Sequence, residues 1–278
     1  MKFNSLNCKT SVDVMARGED KIVVLCKGLS EKSDRQETYI ETLESAGYTC
    51  ECLQTLRFEF INISQLQECL SAVDRYSGLI LTSPRTVEAV ALAARKDASI
   101  LDQWKQMPAY CVGPATDSLA RSQLNLQHCI GSQSGNSKRL AEKIVLDTKK
   151  DSKPLLYPCS EIARDTISSI IGDSGILIKK IVVYKTLESE TLEHELPKML
   201  EKSSTFVFFS PSTVKYIKDQ LRSSCKKNIK DIKAIAIGPV TKDALINSGF
   251  SVFATADKPE PAALMHAITV SESTENLT

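Results

Sequence analysis

The stretch LILTSPRTVEAV, residues 79–90, decides the fold because the chain nearly repeats it as FVFFSPSTVKYI at residues 206–217. Each copy has the pattern of a short apolar strand, a Ser-Pro turn and a helix. A second segment is also repeated, and one copy of it begins about thirty residues after the start of each first copy: AYCVGPATDSLA at 109–120 and AIAIGPVTKDAL at 234–245. This spacing indicates duplication of a domain-sized unit and not a solenoid of short repeats.

Another block is also duplicated, since residues 21–56 resemble residues 153–187. Both segments have the pattern of a strand, a polar loop, a helix, a Gly-bearing turn and a second strand. Short apolar strands that alternate with helices are typical of parallel sheets covered by helices on both faces. We therefore predict an α/β protein of two doubly wound lobes, each with a mostly parallel five-stranded sheet.

The duplicated blocks can be assembled in two ways. The simplest is two consecutive domains divided near Lys150. However, residues 48–60 and 176–187 are extended, β-rich and about twice the usual strand length, so they could finish one sheet and cross to the other domain. This length favours a crossed arrangement, with a first lobe of residues 1–56 and 187–278, a second lobe of residues 61–182, and connectors near 57–60 and 183–186.

The overall composition excludes several functions. The 278 residues carry a net charge of +1, from 35 basic and 34 acidic residues, which argues against nucleic acid as a partner. No apolar run approaches the length of a membrane span. Residues 1–20 lack an apolar signal-peptide core and contain acidic residues, so we expect a disordered extension on a cytoplasmic protein.

The sequence offers little support for a metal or a nucleotide cofactor. Nine cysteines are scattered without a C-x-x-C pair, and the three histidines are far apart, which argues against a disulfide framework and a zinc site. No glycine-rich dinucleotide or P-loop motif is present. We therefore expect neither a metal nor a cofactor.

The four Pro-containing turns suggest where a ligand binds. In SPRT and SPST the serine is a good N-cap and Pro suits the first helical position. One such turn is usually only a well-formed helix start, but four of them place N–H groups and hydroxyls at the carboxyl ends of parallel strands. Ligands of open α/β sheets, and anions in particular, bind there. Arg85, Arg164 and Lys233 are the cations that could assist.

With these motifs together, the chain resembles the uroporphyrinogen-III synthase family, which cyclises hydroxymethylbilane in heme and tetrapyrrole biosynthesis. The matching motifs run from about residue 21 to residue 268: GLILTSPRTVEAV, VGPAT, LLYPCSEIARD, IVVYKT, FVFFSPSTV, AIGPVT and TADKPEPAALMHAI. The resemblance implies two flavodoxin-like lobes joined by a two-stranded connector, with the active site in the cleft between them. It also implies a cytoplasmic monomer without cofactor, a linear tetrapyrrole as substrate, and transient contact with the preceding pathway enzyme.

The resemblance also implies particular site residues. Tyr184 falls on the family's tyrosine and would be the acid that helps a hydroxyl leave as water; the alternative is a strand residue that only fills the junction between domains. Ser83, Thr116, Ser210 and Thr241 match family positions around the cleft and are implied as substrate-binding residues. The other residues that we predict to bind substrate are Arg85, Thr86, Cys159, Ser160, Arg164 and Thr213. A second possible function is a non-enzymatic two-lobed binding protein for a small polycarboxylate.

Overall fold

The computed structural model describes residues 21–28, 34–203, 205–223 and 228–275. The extension predicted for residues 1–20 lies outside the described residues. The chain divides into two compact units: unit 1 contains the described residues up to Leu56 and from Glu188 onwards, and unit 2 contains Arg57–Leu187. Within the described ranges, no helix is long and apolar enough to cross a membrane.

Strands and α-helices alternate along most of the chain, as the periodicity predicts. In chain order the elements are β1 (Ile22–Gly28), α1 (Asp34–Ser45), β2 (Thr49–Phe60), α2 (Ile63–Ser71), β3 (Gly78–Leu81), α3 (Pro84–Ala93), β4 (Ala109–Cys111), α4 (Gly113–Leu124), β5 (Cys129–Ile130), α5 (Ser137–Asp147), β6 (Leu155–Ser160), α6 (Thr166–Asp173), β7 (Ile178–Glu188), α7 (Leu192–Lys202), β8 (Thr205–Phe208), α8 (Pro211–Ser223), β9 (Lys233–Ala236), α9 (Pro239–Ser248), β10 (Val252–Thr255) and α10 (Pro261–Glu275).

Each unit contains five strands that pair in parallel, which confirms a mostly parallel α/β fold. The strand order is β2-β1-β8-β9-β10 in unit 1 and β7-β6-β3-β4-β5 in unit 2. In the internal repeat, β6 is the counterpart of β1, and β3 is the counterpart of β8. The two sheets therefore have the same spatial order although the chain passes through them differently, and the order of unit 1 is that of flavodoxin.

The two long strands mark where the chain changes units. β2 has 12 residues and its last four belong to unit 2, whereas β7 has 11 residues and its last one belongs to unit 1. β1 pairs with β2 and β8, and β3 pairs with β4 and β6. A division near Lys150 would instead have placed β1 in one sheet with β3.

The inner strands β1, β3, β4, β6, β8 and β9 are largely buried on both faces, so they consist mostly of apolar residues. In β1, Val24 and Cys26 pack into a core with residues of α7 and α8, whereas Val23 and Leu25 pack on the other face with residues of α1 and α10. In unit 2, β3 divides its side chains between two cores in the same way. Parallel sheets covered by helices on both faces require this pattern.

Gly131, directly after β5, is required by both its conformation and its surroundings. Its φ is 98°, and a Cβ there would lie 2.3 Å from Leu140 Cδ1 and 3.1 Å from the carbonyl oxygen of Cys111. Gly175 in the same unit also has a positive φ, 79°, but the nearest atom to an added Cβ is 3.9 Å away. Comparing substitutions at the two glycines therefore distinguishes the effect of conformational strain from that of a steric clash.

We expect Gly131→Ala to lower the free energy of unfolding by about 2–5 kcal/mol, because left-handed strain and overpacking both act there. Gly175→Ala should cost only about 1–2 kcal/mol, from the strain alone. Urea denaturation followed by circular dichroism measures both values. Equal losses in the two variants would contradict this explanation.

Candidate active site

The Ser-Pro turns form the helix caps that the sequence predicts. Ser83 Oγ accepts a hydrogen bond from the Thr86 N–H at 3.3 Å, and α3 begins at Pro84. In unit 1, Ser210 Oγ accepts from the Thr213 N–H at 3.3 Å. Both serines therefore satisfy one of the backbone donors that the first helical turn leaves unpaired.

The two Gly-Pro turns differ by one residue in the position at which the helix begins. α9 begins at Pro239 with Gly238 as its N-cap, whereas α4 begins at Gly113 with Val112 as its N-cap. Gly113 has a φ of 75°, in the left-handed region that favours glycine. The glycine of this turn is therefore required by the backbone conformation.

A cavity of about 630 Å³ lies in unit 2 at the carboxyl ends of the strands. Its lining comes from the ends of β3, β4 and β6, from β7 and from the turns that precede four helices. The lining residues are Thr82, Ser83, Val112, Gly135, Asn136, Ser137, Lys138, Tyr157, Ser160, Ala163, Arg164, Thr166 and Tyr184. The cavity lies where β6 and β3 are neighbours, the position at which doubly wound sheets bind ligands.

The electrostatics of this cavity favour an anion. The first turns of α3, α4, α5 and α6 all start at or beside its lining, and a helix N-terminus stabilises negative charge by about 0.3–1 kcal/mol. Two cationic side chains, Lys138 and Arg164, belong to the lining, and none of the described lining residues is acidic. Carboxylate groups are the ligand chemistry that this combination accommodates best.

Tyr184 is held at the wall of the cavity by contacts on both sides. Its hydroxyl lies 3.1 Å from Ser83 Oγ, its ring packs edge-on against Phe58 with centroids 5.9 Å apart, and only 8% of the residue is exposed. Its carbonyl oxygen accepts a hydrogen bond from the Glu161 N–H at 3.0 Å. The phenol therefore has a fixed position beside the cap of α3.

Tyr157 is a second phenol in the lining, and it lies on β6. Burial, and to a lesser extent the nearby Cys159, raise the pKa of Tyr157 to about 12. The group therefore keeps its proton throughout the neutral range and cannot act there as a base. Tyr157 was missed by the sequence analysis because it occurs within an apolar strand, where an aromatic residue is usually part of the core.

The structure places the predicted unit 2 residues in two groups. Ser83, Ser160, Arg164 and Tyr184 line the cavity together, as described above. The other four lie behind its wall or beside it: Arg85, Thr86, Thr116 and Cys159. Their contact with substrate stays a prediction.

Their surroundings indicate supporting roles. The Arg85 guanidinium pairs with Glu88 at 2.5 Å and stacks 4.4 Å from the Phe58 ring centroid. Thr86 is fully buried and its hydroxyl donates to the Ser83 carbonyl at 2.6 Å. Cys159 is buried in the core, which raises the pKa of its thiol to about 11. Thr116 is 2% exposed.

The predicted residues of unit 1 also lie at the carboxyl ends of their strands, with one exception. Ser210 is partly exposed at the start of α8, whereas Thr213 and Thr241 are buried in the first turns of α8 and α9. Lys233 is the first residue of β9. Its position at the amino end of the sheet makes the prediction of Lys233 as a ligand-binding cation wrong.

One group of potential metal ligands occurs among the described residues: Cys111, Asp117 and Cys129, whose ligand atoms lie within 4.8 Å of one another. The Asp117 carboxylate accepts a hydrogen bond from Arg121 Nε at 2.8 Å. A hydrogen bond between the two thiols lowers the pKa of Cys129 and raises that of Cys111. These contacts already stabilise the three side chains, and none of the three lines the cavity.

The model of the family described as uroporphyrinogen-III synthase HemD matches residues 37–266, most of the chain. The chain belongs to the uroporphyrinogen-III synthase family. It is therefore an enzyme of tetrapyrrole biosynthesis with the family's cyclising lyase activity. A non-enzymatic binding protein for a small polycarboxylate, the second possibility raised by the sequence, is not favoured.

Curated relatives and solved structures agree with this assignment. The uroporphyrinogen-III synthase of Schizosaccharomyces pombe is 30% identical over 249 residues, covering 86% of the chain and 94% of the relative. That of Saccharomyces cerevisiae is 29% identical over 228 residues, with 74% and 82% covered. The Helicobacter pylori enzyme structure has a TM-score of 0.62 at 18% identity, with 91% and 99% covered, and supports the fold.

The composition of the cavity makes a prediction for Arg164. We expect Arg164→Ala to weaken the binding of uroporphyrin III, an octacarboxylate, by about two- to fivefold, because exposed charge pairs contribute little in water. Arg95→Ala is the matched control, since Arg95 is exposed beyond the opposite end of α3. Fluorescence titration measures both dissociation constants. Equal weakening in the two variants would show a general charge effect and contradict a role for the cavity.

Proposed function

We propose that the unit 2 cavity is where the reaction occurs, and that the substrate is the linear tetrapyrrole hydroxymethylbilane. The observation that carries this proposal is the Tyr184 hydroxyl 3.1 Å from Ser83 Oγ, in a cavity lined by helix starts and with no acidic residue among its described lining residues. The volume of about 630 Å³ is within the range of small-molecule sites. The acetate and propionate groups of the substrate suit the helix N-termini and the two cations.

Tyr184 acts as the general acid in this proposal. Its phenol donates a proton to the hydroxyl on ring A, the carbon–oxygen bond breaks, and water leaves. The resulting cation is attacked through ring D by way of a spiro intermediate, and the macrocycle closes with ring D inverted. The macrocycle then loses a proton, which restores the phenol, so the net products are uroporphyrinogen III and water.

Ser83 supports this proton transfer. Its oxygen already accepts from the Thr86 N–H, so its own hydrogen is available for the Tyr184 oxygen. A hydrogen bond in that direction leaves the phenol proton free for the substrate and stabilises the phenolate that forms.

We also propose that the enzyme acts in the cytoplasm as a monomer, as members of the family are expected to do. The seven cysteines among the described residues are all free thiols. Free thiols without disulfides are typical of a reducing compartment. Size-exclusion chromatography with light scattering measures the molar mass in solution and so tests whether the protein is a monomer.

The decisive variant is Tyr184→Phe, which removes only the phenolic oxygen. General-acid assistance contributes about 10²–10⁴-fold in many enzymes, and the pyrrolic alcohol is already prone to leave. We therefore expect kcat to fall by about ten- to a hundredfold with KM nearly unchanged, the pattern of an interaction made in the transition state.

The assay uses hydroxymethylbilane generated enzymatically and separates uroporphyrinogen III from the isomer I that forms spontaneously. Thermal melting is the folding control. A wild-type protein that yields only isomer I would overturn the proposed function. A folded Tyr184→Phe protein with unchanged kcat would remove Tyr184 from the chemistry and leave catalysis to backbone N–H groups and confinement.

A further inference from the structure

Lys27 occupies a distinctive position in unit 1 that the proposed function does not use. It is the next-to-last residue of β1, at the carboxyl end of the strand and beside β8. Strand order in unit 1 turns between β1 and β8, as it turns between β6 and β3 in unit 2. Lys27 thus lies at the ligand-binding position of its own sheet.

The internal repeat relates this position to the cavity of unit 2. β1 and β6 have the same irregularity in register, between Lys27 and Gly28 in one and between Cys159 and Ser160 in the other. The repeat also places Phe209 where unit 2 has Thr82, which lines the cavity. The residues around Lys27 are therefore the counterparts of residues around the candidate active site.

The side chain of Lys27 is held by two aromatic rings. Its ammonium lies 4.4 Å from the ring centroid of Tyr39 and 4.1 Å from that of Phe209, and the rings pack edge to face 5.2 Å apart. Burial lowers the pKa of Lys27 to about 8. The cation is thus oriented and partly dehydrated, and an approaching carboxylate would stabilise it.

Buried hydroxyls tie the backbone of Lys27 to the start of α8. The Thr55 hydroxyl donates to the Lys27 carbonyl at 3.2 Å and lies 3.3 Å from Thr213 Oγ1. Thr213 Oγ1 in turn lies 3.2 Å from Ser210 Oγ, the cap of α8. Thr55 and Thr213 are at most 1% exposed, so this chain of contacts links the backbone at Lys27 to the cap of α8 through the protein interior.

We propose that Lys27, held by Tyr39 and Phe209 at the carboxyl end of β1, is a carboxylate-binding position in unit 1, which holds an acetate or propionate group of the tetrapyrrole. The chemical identity of this ligand rests on the proposed function. The assignment adds a cation to a sheet edge where the predicted residues supply only hydroxyls and backbone donors. Lys27 is a binding residue and takes no part in the proton transfer.

The test compares Lys27→Met, Lys27→Arg and the control Lys233→Met. Lys233 also stacks on an aromatic ring, 4.9 Å from the centroid of Phe253, but it lies at the amino end of the same sheet. A charge-assisted hydrogen bond contributes about 1.5–3 kcal/mol. We therefore expect Lys27→Met to raise the KM for hydroxymethylbilane and the dissociation constant of uroporphyrin III by about tenfold or more.

The expected kcat of Lys27→Met stays within about twofold of wild type, because bound substrate and transition state carry the same carboxylates. Lys27→Arg should restore most of the affinity, and Lys233→Met should leave it unchanged. Unchanged KM and dissociation constant in a folded Lys27→Met protein would overturn the proposal. Equal weakening by Lys233→Met would also overturn it.

A labelling experiment on the unmodified protein covers the case in which Lys27→Met does not fold. Limiting acetic anhydride should acetylate Lys27 readily near pH 8, and uroporphyrin III should protect Lys27 but not Lys233. Equal labelling with and without the porphyrin would overturn the proposal. If the wild-type protein makes isomer III but the porphyrin does not change the labelling of Lys27, only the binding position at Lys27 is rejected. If the wild-type protein makes only isomer I, the proposed function is rejected, and the ligand assigned to Lys27 is rejected with it.

Discussion

The structure depends on one constraint: parallel strands all end at the same edge of their sheet, and each following helix begins there. The turns at that edge must therefore hold unpaired N–H groups in place, which Ser83 and Ser210 do as helix caps. The same turns concentrate donors and the positive ends of helix dipoles on one side of each sheet. A net charge of only +1 is compatible with the proposed polycarboxylate ligand because a helix N-terminus stabilises negative charge without a charged side chain.

Duplication makes this edge occur twice, but the two copies are not chemically equal. Unit 2 has Ser160 and Tyr184 at the end of β6 and along β7, beside a cavity. Unit 1 has Lys27 at the matching end of β1, with aromatic rings around its ammonium. One copy therefore offers hydroxyls suited to proton transfer, and the other offers a fixed cation suited to binding. Such a difference suits a substrate whose two ends react differently.

The sequence predicted the parts of the fold that depend on local pattern. The repeated strand–turn–helix units, the parallel sheets, the serine caps and the long strands β2 and β7 all follow from periodicity and turn residues. Side chains were harder to predict because their roles depend on which face of a strand or helix is covered. Thr86 and Thr213 have suitable hydroxyls but are buried, and Lys233 is at the wrong end of β9.

Two residues of the candidate binding positions were not predicted from the sequence, and the reason is the same for both. Tyr157 and Lys27 both occur in apolar strands, where neighbouring residues indicate core. The internal repeat contained a signal for Lys27, since the matching segment of the second copy includes Cys159 and Ser160, which the resemblance had already implicated. Comparing the two copies position by position would have identified it.

Amide hydrogen exchange, measured with and without uroporphyrin III, shows whether the ligand binds at the carboxyl ends of the strands. We expect slower exchange on binding in the turns 83–86, 113–116, 210–213 and 238–241. We expect no change in the segments 76–79, 107–109 and 232–234, at the amino ends of the strands. Protection of those amino-end segments, or no protection of the turns with the porphyrin bound, would show that the ligand binds elsewhere.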